Sequence, residues 1–261
     1  MMLSLLLASL LSFSPASVAL PGPGQDPAPA ADERPEVKTQ LETLATHVKA
    51  KGEKDPEAIG VIDALVTEFA QSGPKDRAAI VKALEACFGA KRTKDLEEGI
   101  PDDRLYNAAA VALGTMGPES VKPLTSMIGD KNHKKNLRLQ QNLALALGKT
   151  KSPDGMKTLL GLLKNKDAPM QAAGAEALAN YAEIALDARK TVFEELLKTL
   201  MDQYAKKEAN VTDQEAQERW NVISGPIMQT LQKLSGNAET DPTKWQRWWN
   251  DNKKKDWAKA G

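Results

Sequence analysis

The sequence predicts an all-α solenoid of stacked antiparallel helix pairs, and three observations carry that prediction. Apolar residues recur at helical spacing from Pro35 almost to the end of the chain. Three Ala- and Leu-rich stretches follow one another at residues 109–128, 143–163 and 175–197, each an apolar helix, a polar break and a second apolar helix. Their aligned leucines, Leu113, Leu147 and Leu178, lie roughly 30–35 residues apart, the period of stacked helix pairs.

Composition narrows the class. The chain has 261 residues, 27% of them charged and 41% hydrophobic, which suits a globular domain or an extended array. The formal net charge of +0 argues against a general nucleic-acid binder, which needs excess Lys and Arg to displace counterions. Aromatic residues are only 5%, so the packing is expected to rest on small and aliphatic side chains.

Residues 1–19 read as a signal peptide. An apolar stretch from Leu3 to Phe13 precedes Ser17-Val18-Ala19, small residues suited to cleavage after Ala19. The n-region has no Lys or Arg, and an uncleaved N-terminal anchor is the alternative. An exported protein, periplasmic or extracellular, is therefore expected, with no membrane span in the mature chain. Residues 20–34 carry Pro21, Pro23, Pro27 and Pro29 among Ala and Gly, the composition of a linker. Residues 35–258 are assigned to the solenoid.

The elements follow in order. A first helix carries Leu41, Leu44 and Val48 and ends near Lys51-Gly52. Asp55-Pro56-Glu57 starts the next, with an acceptor, a proline and an acid in their favoured places. Gly73-Pro74 opens a third, ending at Cys87-Phe88. Residues 89–101 read as a charged loop, and no segment reads as a strand. Gly117-Pro118 and Ser152-Pro153-Asp154 divide the first two repeats, and Asp187 is read as the cap dividing the third. Thr212-Asp213-Gln214-Glu215 fits a capping box headed by Thr212. Gly225-Pro226 is read as a break, and Asp241-Pro242 as the start of a last, Trp-rich capping helix over 241–258. Ala108–Ala110 and Ala112, like Ala172, Ala173, Ala175 and Ala177, let helices approach closely; Gly114 and Gly148 are read as ending or loosening helices where the chain turns.

The stretches VALGTMGPESVKPL and LALGKTKSPDGMKTLLGLL resemble the short bacterial HEAT repeat of the phycocyanobilin-lyase type. The likeness covers residues 101–200 and extends to 56–90 and 212–258. Where that family usually has Arg, seven residues before the aligned leucine, this chain has Tyr106, Gln140 and Gln171. Pro118 stands where an Asp often follows. Tetratricopeptide repeats share the period, but their Trp/Leu-Gly/Tyr spacing is not found here. Residues 231–252, LQKLSGNAETDPTKWQRWWNDN, resemble a tail found on many exported bacterial HEAT proteins. The resemblance implies a binding surface for a macromolecular partner, expected to be protein. A lyase-type enzyme is what the repeat family's name alone would imply.

Candidate sites are few. Trp245, Trp248 and Trp249 share one helix face, either as a cap packed on Leu231 and Leu234 or as a platform for a glycan or peptide. Lys131, His133, Lys134, Lys135 and Arg138 form a basic stretch between two repeats, either a solvated loop or an anionic-partner surface. Lys253, Lys254 and Lys255 read as a solvated helix end. Cys87 is the one cysteine, in the apolar run IVKALEACF, and is read as a small core residue. His47 and His133 are the only histidines, and neither has a second ligand at metal spacing. No catalytic motif occurs. No catalytic residue, cofactor or metal is therefore expected, and the reading is a non-catalytic, exported interaction scaffold.

Overall fold

A computed structural model describes residues 32–92, 95–97 and 100–257. The signal-peptide reading and most of the linker lie outside these residues. Eleven helices are seen among them. The first three are α1 (Pro35–Lys49), α2 (Asp55–Phe69) and α3 (Pro74–Cys87). The repeats contribute α4 (Arg104–Gly114), α5 (Val121–Met127), α6 (Leu137–Lys149), α7 (Pro153–Leu162) and α8 (Ala168–Leu178). Last come α9 (Leu186–Ala209), α10 (Gln214–Ser235) and α11 (Pro242–Asn252). Prolines mark many of the starts: Pro35, Pro56, Pro74, Pro153, Pro169 and Pro242 all sit in a first helical turn, where a missing N–H costs nothing.

The helices form two layers. In the first, α2, α4, α6, α8 and α10 pack side by side, each on the next. The second contains α3, α5, α7 and α9; α1 joins α2 to α3, and α11 rests on α9. The architecture is an all-α solenoid, and one core runs its length. Leu113, Leu147 and Leu178 are all fully buried in it, with Leu105, Leu139, Leu143 and Leu159 around them. No helix among the described residues is long and apolar enough to cross a membrane.

The first layer is held close by its smallest residues. A Cβ built on Gly114 would lie 2.9 Å from the Ala146 Cα, and one on Gly148 would lie 2.5 Å from the Ala177 carbonyl oxygen. Gly114 is the last residue of α4 and Gly148 the last but one of α6, so both stand where a helix ends, and they have a second role as well. They remove side chains where α4 meets α6 and α6 meets α8, so the backbones touch. The helix-end position is legible in the sequence, whereas the helix–helix contact made by the same two residues is not, because Gly supplies both.

The corrections concern boundaries. Asp95–Glu97 and Ile100–Pro101 form a two-stranded antiparallel hairpin inside the segment read as a loop. Helix α10 runs unbroken through Pro226. The bond that Pro226 removes belongs to the Val222 carbonyl, on an exposed turn where water can replace it, while Ile223, Ile227, Leu231 and Leu234 hold the opposite face in the core. The α10 cap is Asp213, whose Oδ1 accepts from Ala216 N at 3.0 Å; Thr212 instead donates its hydroxyl to Asn210. Helix α9 is preceded by Ala185, so Asp187 lies in the first turn and is not the cap. Asp32–Arg34, assigned to the linker, are already tied to the fold. Asp32 Oδ1 accepts from the Lys75 and Asp76 amides, and the Glu33 and Arg34 amides donate to the Asp76 carboxylate.

Candidate functional site

The candidate site is the outward side of the first layer. On α6, Arg138, Asn142, Leu145 and Lys149 fall at helical spacing on one stripe that the neighbouring helices leave open. Val111 of α4, 50% exposed, stands beside it. Across α8 and α10 the same surface continues through Glu176 and Lys233. Asn142, Leu145 and Lys149, with Val111, Glu176 and Lys233, line a cleft of about 340 Å³ that reaches over four consecutive first-layer helices. Its floor is small and apolar, with Ala146 and Ala179, and charged side chains rim it. Asn142 Nδ2 donates to Asn107 Oδ1 at 2.8 Å, tying the stripe on α6 to α4.

The repeat connections are fixed by a recurring polar device. Tyr106 donates its hydroxyl to the Ala90 carbonyl, just past α3. Gln140 Nε2 donates to the Met127 carbonyl at 3.1 Å and its Oε1 accepts from Gly129 N at 2.7 Å. Gln171 Nε2 donates to the Leu163 carbonyl at 2.6 Å. In each case the residue seven before the aligned leucine holds the end of the preceding second-layer helix. Gln140 and Gln171 are buried, so an amide makes these bonds without the cost of burying a guanidinium. Tyr106, Gln140 and Gln171 thus make these connections with neutral side chains.

The basic stretch lies at the start of α6. Lys131, Lys134, Lys135 and Arg138 are exposed. His133 turns inward: its Nε2 is 2.7 Å from the Phe88 carbonyl oxygen, and its ring centroid is 4.9 Å from that of Tyr106. Asn136 caps α6 through Leu139 N at 3.0 Å and donates to Asp103 at 3.2 Å. The loop is therefore an ordered one, with its imidazole as the anchor.

The tryptophans are placed differently. Trp245 is fully buried and Trp249 is 8% exposed; Trp248 is partly covered. The aromatic ring they meet is Phe193 of α9, which stands within 5.2–5.7 Å of the Trp245, Trp248, Trp249 and Trp257 ring centroids. The sequence reading expected Leu231 and Leu234 as the partners of the stripe. It missed Phe193, whose signal was only one aromatic in the run TVFEELL. Burial takes Trp245 and Trp249 off the surface, so they do not form an open platform.

Ionisable groups away from these surfaces are accounted for by structure. Arg92 Nε lies 3.0 Å from Asp55 Oδ2, outside good hydrogen-bond alignment, and both side chains are buried. Burial raises the Asp55 carboxyl above its ordinary range against the pull of Arg92. Paired hydrogen bonds from Arg104, both 2.9 Å, hold Asp102 below its ordinary range. Burial pushes the Cys87 thiol up to about 12. Among the described residues, no group of three or more His, Cys, Asp or Glu side chains is placed to hold a metal ion. A larger cleft, about 700 Å³, lies along α3, but Arg77 at its edge is spent on the Phe69 carbonyl and on Glu119.

Comparison with known proteins bears on the repeats alone. The sequence model for HEAT repeats matches residues 93–179. This stretch is similar to HEAT repeats. It spans α4 to α8, so the matched stretch holds both the Gly–Ala contacts and most of the open cleft. No curated protein and no solved structure matches the chain.

Proposed function

We propose that the protein is an exported scaffold that binds a protein partner on the outward side of its first helical layer, with no covalent step. One observation supports this most: a cleft with exposed Val111 and half-covered Leu145 runs across four first-layer helices, three of them in the stretch similar to HEAT repeats. HEAT repeats generally serve protein interaction, and a stacked array offers a broad preformed surface for it. The export part of the proposal rests on residues 1–19 and Ala19.

Photocrosslinking tests the face. A benzoylphenylalanine at Leu145 is expected to give discrete adducts in producing cells, while one at exposed Lys157 on α7 gives none. Adducts of the same pattern from both positions, or none from Leu145, would remove the first-layer face as the docking surface. Intact mass separates the export question: a chain starting at Leu20 supports it, and a retained Met1 in the membrane fraction refutes cleavage.

A further inference from the structure

The docking face proposed above also has a charge pattern, and the inference here rests on that face. Lys149 and Lys233 rim the cleft. Arg138 lies on the same α6 stripe, and Lys131, Lys134 and Lys135 project from the loop that leads into it. Among the described residues none of these six cations makes an ion pair, and the Glu183 carboxylate, paired with Lys151, is the further acid that feels Lys233. Some other cations do have acidic partners: Arg34 with Glu68, Lys75 with Glu33, Arg77 with Glu119, Lys151 with Glu183. Glu176 is the acid lining the cleft. Asp130, in the basic loop, already accepts from the Asn132 amide at 2.9 Å. The α6 stripe thus carries exposed positive charge toward both ends, Arg138 and the loop lysines at its start and Lys149 with Lys233 at the cleft.

We propose that the face takes an acidic polypeptide segment, with apolar side chains in the cleft beside Val111 and Leu145 and carboxylates meeting the cations at its two ends. The loop cations are held ready, because His133 and Asn136 fix the loop before any partner arrives. A nucleic acid is the competing anion. It would need a stacking surface or a continuous phosphate track, and no aromatic side chain lines this cleft.

Fluorescence anisotropy tests the proposal with three labelled probes: a Glu-rich peptide carrying two Leu residues, its counterpart with every Glu replaced by Gln, and a single-stranded oligonucleotide of similar length. The Glu-rich peptide is expected to bind, to weaken as salt rises, and to bind at least about tenfold tighter than the Gln peptide. Charge reversal by Lys131→Glu, Lys134→Glu, Lys135→Glu and Arg138→Glu together should abolish that preference at an unchanged melting temperature. Should that variant misfold, the four corresponding Gln substitutions serve, with the same expected loss. Equal binding of the Gln peptide, equal or tighter binding of the oligonucleotide, or undiminished binding by the substituted proteins would overturn the acidic partner. Crosslinks from position 145 that persist in the charge-reversed protein would overturn it too, yet leave the docking face standing. Absence of those crosslinks in the unreversed protein would remove the face itself.

Discussion

Between α4 and α8 the helices approach until Gly114 lies against Ala146 and Gly148 against Ala177. At the C-terminal end the contact is made by Phe193, set among four indoles. The difference follows from position in the array. A first-layer helix in the middle has a neighbour on each side, so burial is supplied by backbone approach and small side chains suffice. Helix α9 has only the short α11 to cover its outer side, and large rings must supply the missing area. Aromatics bury the most surface per residue, which is why a chain with 5% of them gathers five around one helix end.

Four substitutions break or sharpen this comparison. Phe193→Ala should have the largest effect, about 3–5 kcal/mol, because it empties the centre of the terminal cluster. Urea denaturation would measure it, and the near-ultraviolet dichroism of the tryptophans should collapse in parallel. A wild-type melt would mean that the rings do not close the end. In the middle of the array, Leu147→Ala should cost about 2–5 kcal/mol, since the side chain is fully buried. An unchanged urea midpoint would refute its place at the centre of the stack.

The third and fourth predictions use one substitution in two places. Gly148→Ala puts a methyl group against the Ala177 backbone and should destabilise by about 1–3 kcal/mol through overpacking. Gly161→Ala, on α7, meets nothing within 4 Å and should stabilise by about 0.4–1 kcal/mol by restricting the unfolded chain. Opposite signs in paired thermal melts would support backbone contact in the first layer. A gain at both positions would show that α6 and α8 have room to spare.

The solenoid was legible because its causes are local and repeated. Leu113, Leu147 and Leu178 announce the stack by their spacing, and prolines announce many helix starts. The contacts that set how closely the stack packs were not legible. Gly114 and Gly148 read as helix-end residues, which they are, but the partner alanine that each also seats, some thirty residues on, appears only in the fold. Pro226 looks like a break until the apolar face around Ile223 and Ile227 is seen to outweigh the one lost bond. Gln140 and Gln171 look like losses from a pattern until their carbonyl partners appear. The candidate site was half visible. Lys131, Lys134, Lys135 and Arg138 form a run that sequence displays directly, whereas Val111, Leu145 and Lys233 meet only through stacking. Phe193 was hidden for the same reason: nothing in its own helix tells it apart from an ordinary core residue.

The burial of Cys87 has a practical consequence for labelling. Its sulfur is sealed inside α3, and with the thiol pushed up to about 12 almost none of it is thiolate at neutral pH. It is also the single cysteine of the sequence. The native chain is therefore already close to a blank background for thiol chemistry. A cysteine placed at Val111 or Lys233 would carry a spin label or fluorophore alone, and distances along the array could be followed as a ligand binds without first removing a core residue.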